Sequence, residues 1–288
     1  MAGPADPKGL PSGRRRAVGP SLLALVVPAV VGAQVVPNRA TLYLHPSDVT
    51  DARALWVNPA GFGRFEEASL HLDLSVGDPG TAGRLRQLTV GLSSRGLSFG
   101  YQRDVFDAGA RGHTYRIGYA AGRAGLAAGV AAALYRGDGA SASGWDLGVL
   151  YDRMASLSVA GVIENVGHPS VRGTKLPVTY LPSATLRLFD ARAALSADGR
   201  FTSGGVLGYA FGLRATLGAP SRVPVGLLAR LDTDRTLARA GLAFGVSLGS
   251  QDLAGLVATA PGDAARIDAL DLYGVTTRRF ARSRGVRG

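Results

Sequence analysis

Gly96-Leu97-Ser98-Phe99-Gly100 matches the G-x-S-x-G pattern that presents a serine nucleophile. That chemistry needs a sharp strand-to-helix turn at the serine, with a helix behind it. Here apolar alternation runs straight through Ser98 to Tyr101, so the pattern predicts a strand and no nucleophile. The four histidines, His45, His71, His113 and His168, share no metal-ligand spacing. His113 and His168 fall in expected loops and His71 on an expected lumen face, so solvated histidines are the expectation. Asp232 and Asp234 lack the ligand count of a calcium site and read as turn residues. No Walker A or dinucleotide fingerprint is present. With no cysteine in the chain, disulfides, zinc ribbons and thiol nucleophiles are excluded. No metal, cofactor or catalytic activity is expected.

A second set of residues carries charge in an unusual setting. Arg116, Arg187, Arg192, Arg214 and Arg230, with Asp73, Asp146 and Asp198, sit between apolar residues at alternate positions. Their neighbours on the same face are mostly Gly, Ala and Ser. A water-facing sheet would carry many Lys, Glu and Thr there instead. Inward-facing charges of this kind set anion preference in a pore, or form internal ion pairs that hold a closed lumen shut. The sequence leaves both open.

The elements that position these residues are strands. From residue 67 to 280 the chain repeats segments of about 8–11 residues with period-2 hydrophobicity. Leu70-Leu72-Leu74-Val76 begins the series, and a run from Ile267 to Phe280 ends it. We count 14 segments, the one near Leu253 to Ala260 being weakest, with 12 as the lower bound. An even number of strands, each near the ~9–11 residues that cross a bilayer, suits a membrane barrel. Longer gaps are expected around 77–84, 104–113, 136–143, 164–177 and 198–205. Tight turns are expected at 93–96, 121–125, 152–155 and 189–191. Long loops on one side and short turns on the other is the outer-membrane layout. Tyr101, Tyr119, Trp145, Tyr151 and Tyr209 read as interfacial aromatics. The fold class is therefore all-β: an antiparallel up-and-down transmembrane barrel.

The net charge of +11 divides unevenly. Residues 1–33 carry a net +3 and residues 278–288 a net +5, which leaves only +3 for the body. No basic stripe for a nucleic acid is evident, and none is expected as a partner. Arg14-Arg15-Arg16, the apolar run from Ala17 to Val31, and Val31-Gly32-Ala33 have the layout of a secretory signal. Cleavage is expected after Ala33, following Sec-type export to the outer membrane of a Gram-negative type envelope. The organisation expected is a signal peptide (1–33), a lead-in or plug segment (34–66), the barrel (67–280) and a basic tail (281–288).

Ahead of the first strand lies Ala54-Leu55-Trp56-Val57-Asn58-Pro59-Ala60-Gly61-Phe62-Gly63. Asn58-Pro59 favours a turn, with Gly61 and Gly63 free to take positive φ. Residues 48–56 could form a short helix capped by Ser47 or Asp48 and ended by Pro59. This segment resembles the Asn-Pro-Ala-Gly motif of FadL-like and PorV-like outer-membrane barrels, on Asn58, Pro59, Ala60 and Gly61. Residues 162–180, with Asn165-Val166-Gly167 and then Leu176-Pro177 opening the next strand, are similar to a second mark of that superfamily. Residues 145–161 are similar to the barrel region ahead of some SppA-like peptidases.

The resemblance implies a lumen plug at residues 41–66; the plain alternative is a lead-in loop. It further implies contact with outer-membrane lipid or lipopolysaccharide and with the barrel-assembly machinery. Phe280 would end the last strand as the assembly signal, although a basic tail follows it. A leading function and one alternative are implied, in that order. One is passive transport of small hydrophobic molecules, as in FadL-like proteins. The other is a non-transporting structural or secretion-partner barrel, as in PorV-like proteins. A ligand-sized apolar channel would favour the first, and a lumen packed by residues 41–66 and ion pairs the second.

Overall fold

In the computed structural model, strand pairing runs unbroken around a closed ring. The structure describes residues 3, 43–64, 68–77, 85–105, 111–137, 140–171, 174–218, 224–238, 240–248, 253–260 and 263–278. All but Gly3 lie in the unit Ala33–Gly288. The expected signal peptide, the basic tail and Phe280 lie outside the described residues.

The first half of the wall is β1 (Ala68–Gly77), β2 (Leu85–Ser94), β3 (Leu97–Val105), β4 (Arg111–Arg123), β5 (Leu126–Gly137), β6 (Ala140–Tyr151) and β7 (Leu157–Val166). A small separate hairpin follows, β8 (Ser170–Val171) and β9 (Thr174–Lys175). The second half is β10 (Thr179–Leu188), β11 (Ala193–Thr202), β12 (Gly205–Leu217), β13 (Val225–Asp234), β14 (Ala240–Leu248), β15 (Leu253–Ala260) and β16 (Asp263–Arg278). Every wall strand is antiparallel to its neighbour, and β16 closes on β1 through pairs such as Leu72↔Gly274. The expectation of 14 strands is met.

Period-2 alternation gives the wall two faces. Leu70, Leu72, Phe99, Ile117, Leu147, Leu213 and Phe244 stand on the outside, each about half exposed. Ser69, His71, Asp73, Thr89, Ser98 and Ser158 stand on the inside, almost wholly buried. Large apolar residues outward and small polar ones inward is the inverse of a soluble protein. A closed ring also satisfies every ladder hydrogen bond without leaving an edge, which a bilayer requires.

The tight turns follow the hairpin rules. Arg95-Gly96 and Ala124-Gly125 both have positive φ at the two central positions, with glycine second. Other connections differ from expectation. β5 ends at Gly137 and β6 begins at Ala140; β11 ends at Thr202 and β12 begins at Gly205. Both were expected as longer loops. Apart from Phe201, residues 136–143 and 198–205 are polar, charged or small, and backbone pairing reaches into both stretches, as in Gly137↔Ala140 and Thr202↔Gly205, without needing an apolar face. His113 likewise lies within β4, not in a loop.

Candidate functional site: the filled lumen

Residues 43–64 run inside the barrel and pack against most of its wall. The segment begins with a turn, closed by Asp48 N–H donating to His45 O (3.0 Å). The helix α1 spans only Ala54–Val57. Its N-cap is Arg53, without a side-chain cap, and Asn58 ends it, so the longer helix capped by Ser47 or Asp48 is not formed. A 3-10 turn follows at Gly61–Gly63. Gly61 and Gly63 do not take positive φ. Their reason is space: a Cβ on Gly61 would collide with Val49 O, and one on Gly63 would lie 2.9 Å from Ala120 Cβ.

The Asn58-Pro59-Ala60-Gly61 motif organises this segment. Asn58, Pro59, Ala60 and Gly61 are all buried. Asn58 Nδ2 donates to Pro46 O (2.8 Å) and to Val149 O of the wall (3.3 Å). Asn58 Oδ1 accepts from Ala60 N–H (3.0 Å). One amide thus ties the start of the segment, its own turn and β6 together. Leu55, Val49 and Phe62 are fully or almost fully buried, each worth ~1.5–3 kcal/mol when removed from water.

The wall receives the segment over glycines. A Cβ on Gly100 would press on Trp56 and Leu55, on Gly118 on Phe62, on Gly129 on Pro59 O, and on Gly148 on Asn58 Oδ1. The same holds for Gly212 against His45. Glycine inside a strand here marks where another backbone comes close.

The inward charges then lock it. Arg187 Nη2 and Arg214 Nη1 converge on Asp48 at 3.2 and 2.5 Å. Arg230 Nη1 donates to Leu44 O (2.5 Å), while its other nitrogens hold Asp232 at 3.0 Å. Asp198 accepts from His45 Nδ1 (2.7 Å) and from Ser183 Oγ (2.5 Å). Ser183 and Thr185 lie 2.7 Å from Ser47 Oγ, and Ser158 Oγ donates to Ser47 O (2.6 Å). Across the lumen, Arg116 donates to Leu55 O (3.2 Å), pairs with Asp146 (2.5 Å) and stacks over the Trp56 ring at 5.1 Å. Arg64 reaches Asp152 at 2.8 Å.

Of the charged residues expected to face the lumen, Asp73, Arg116, Asp146, Arg187, Asp198, Arg214 and Arg230 do so. Arg192 does not. It lies exposed in the turn between β10 and β11, because β10 ends at Leu188 and β11 begins only at Ala193. Asp232 is a strand residue paired with Arg230, whereas Asp234 caps a turn by accepting from Thr236 and Ala238 N–H. His45 and His71 are buried rather than solvated. Ser98 is buried in mid-strand and donates to Leu92 O (3.0 Å). The residues that reading along the sequence missed are the segment's own partners, His45, Ser47, Asp48, Asp51 and Arg53.

An apolar cavity of about 620 Å³ is present, but on the outer wall. Leu92, Phe99, Tyr115, Ile117 and Trp145, which rim it, all point outward. Its floor is Gly100, Ala133 and Gly144. At the end of the barrel where β1 starts lies a second cavity, of about 560 Å³, lined by charged side chains.

No family model matches the chain, and no curated protein matches it in sequence. Among solved structures it is similar to the CymD monoaromatic hydrocarbon channel, with a TM-score of 0.54 at 11% identity over 82% of this chain and 95% of that one. The likeness is one of fold. The Pseudomonas putida toluene transporter TodX is a further similar structure (TM-score 0.48, 11% identity, 82% and 96% of the two chains). So is a Pseudomonas aeruginosa FadL homologue (TM-score 0.44, 10% identity, 83% and 95%).

Proposed function

We propose that this protein is an integral outer-membrane barrel kept closed by residues 43–64, acting as a structural or partner barrel of the envelope. One observation carries this reading: the segment meets the wall from β1 around to β13 through buried polar bonds, ion pairs and glycine contacts. An apolar passage for a ligand needs convergent apolar walls around an empty space. The inner surface beside residues 43–64 instead presents ion pairs already matched to the segment.

The apolar outer face supports membrane insertion, since a water-facing protein rarely exposes so continuous an apolar belt. Placement there by the barrel-assembly machinery, contact with lipid or lipopolysaccharide, and a PorV-like secretion partner belong to this proposal. A second reading is passive transport of small hydrophobic molecules once the segment moves. The likeness of fold to a hydrocarbon channel and the aromatic-rimmed cavity on the outer wall favour it.

Proteoliposomes separate the two. The closed barrel predicts heat-modifiable migration on a gel, no ion conductance, and toluene or fatty-acid permeation no faster than protein-free vesicles. Permeation that saturates with hydrocarbon would overturn the closed reading and support transport.

A further inference from the structure

The charged cavity at the β1 end of the lumen has a composition that the closed-barrel reading does not need. Its floor is the beginning of the plug, and its rim includes the turn after β6, with Arg153, Met154 and Ala155. Each carboxylate in it is already engaged. Asp51 is gripped by Arg53 through Nε at 2.8 Å and Nη2 at 2.5 Å. Asp152 is held by Arg64 at 2.8 Å. Asp48 is shared between Arg187 and Arg214. Arg153 projects from the exposed turn and has no carboxylate within ion-pair distance among the described residues.

Among the described residues that line it, five guanidiniums therefore face three carboxylates, an excess of two positive charges. Each of these carboxylates already has a guanidinium partner, which disfavours a cation. Guanidinium donors remain: Arg214 spends its bonds on one carboxylate that Arg187 also uses, and Arg153 spends none on an acid among the described residues. Guanidinium forks match oxyanions that present two or more oxygens. Low-dielectric walls focus the field of such a cluster into the cavity. A phosphate monoester carries about −1.5 to −2 at neutral pH and three terminal oxygens. It matches both the excess charge and the spread of donors, which a carboxylate monoanion does not.

We propose that this mouth of the barrel is a binding site for a phosphate monoester, with Arg153 and Arg214 as its principal donors and Arg187 and the Thr50 hydroxyl beside them. The group is carried either by a lipid head of the phosphatidic acid type or by a soluble phosphate. The site depends on the geometry of the mouth and not on whether the lumen conducts.

The test uses the full-chain protein in uncharged detergent, titrated calorimetrically with inorganic phosphate against sodium acetate at equal ionic strength. Saturable binding of phosphate and none of acetate is expected. Arg153→Gln, in an exposed turn, is expected to weaken phosphate by about tenfold, the loss of one charge-assisted bond. Arg136→Gln, exposed at the far end of β5, is expected to leave affinity unchanged. Heat-modifiable migration shows that each variant is still a closed barrel. In nanodiscs, competition by phosphatidic acid but not phosphatidylcholine assigns the lipid source. Its absence, with phosphate still bound, assigns the soluble one. No saturable phosphate binding up to about 10 mM, equal binding of acetate, or an Arg153→Gln variant that binds like the parent overturns the proposal; millimolar is already weak for any specific site.

Discussion

A single methyl group on the wall should loosen the plug while leaving the barrel intact. Gly148 faces inward on β6, and a Cβ there would overlap Asn58 Oδ1 and lie 3.0 Å from Pro59 Cδ and 3.1 Å from Ala60 N. The wall cannot yield, because Gly148 is held in register with Gly129 on one side and Val162 on the other. In Gly148→Ala the plug must shift instead. Asn58 Oδ1 then releases the Ala60 N–H, a donor in a buried turn, at a cost of ~1–3 kcal/mol. Weakening the Asn58 bonds to Pro46 O and Val149 O adds ~1 kcal/mol. A total of ~2–4 kcal/mol raises local opening by roughly 30- to 1000-fold. Hydrogen–deuterium exchange read by mass spectrometry should show this as lost protection across 43–64, with the wall strands unchanged. Gly255→Ala is the control, since a Cβ at Gly255 meets nothing within 4 Å. If plug protection in Gly148→Ala stays within threefold of the parent while migration still shows a closed barrel, the reasoning about close approach is wrong.

Further outcomes follow from the same geometry. Asp48→Asn leaves the Arg187 and Arg214 guanidiniums, both mostly buried, without their counter-charge; a loss of ~3–5 kcal/mol in plug stability is expected, visible as faster exchange at 43–50. Phe99→Arg puts a charge on the outer apolar face, and urea titration in lipid vesicles should show a loss of ~2–4 kcal/mol. Burial raises the Asp51 pKa, but the Arg53 guanidinium outweighs burial and holds the carboxyl below its ordinary value. Its contribution is therefore complete above the unfolded carboxylate pKa of about 4 and is lost as pH falls through the lower folded value. Trp56 fluorescence should report the plug loosening below about pH 4, and Asp51→Asn should flatten that acid response.

The wall was legible because its signal is local. Leu70 and Leu72, or Ile117 and Tyr119, announce the outward face within a few residues, and lipid rewards that alternation wherever the strand lies in the bilayer. At strand ends the reward disappears while backbone pairing continues. That is why residues 136–143 and 198–205 read as loops although strands reach into them, to Gly137 and from Ala140, and to Thr202 and from Gly205. The plug's partners were not legible. Asp48 meets Arg187 and Arg214 across 139 and 166 residues, and only the closed register brings them together. His45 carries no local sign that it will be buried against Asp198.

One non-local feature is written in the chain all the same. Gly100, Gly118, Gly129, Gly148 and Gly212 fall on inward positions, among the small residues of that face. In the folded protein they are the surfaces on which Trp56, Phe62, Pro59, Asn58 and His45 rest. A strand gives up stability for each interior glycine. A series of them on one face of a barrel therefore implies a second layer pressed against that face. The segment that carries the Asn-Pro-Ala-Gly motif, just ahead of the first strand, forms that layer, and its described part is residues 43–64. The glycines and the plug are two halves of one pattern, and that pattern is what the Gly148→Ala exchange experiment puts to the test.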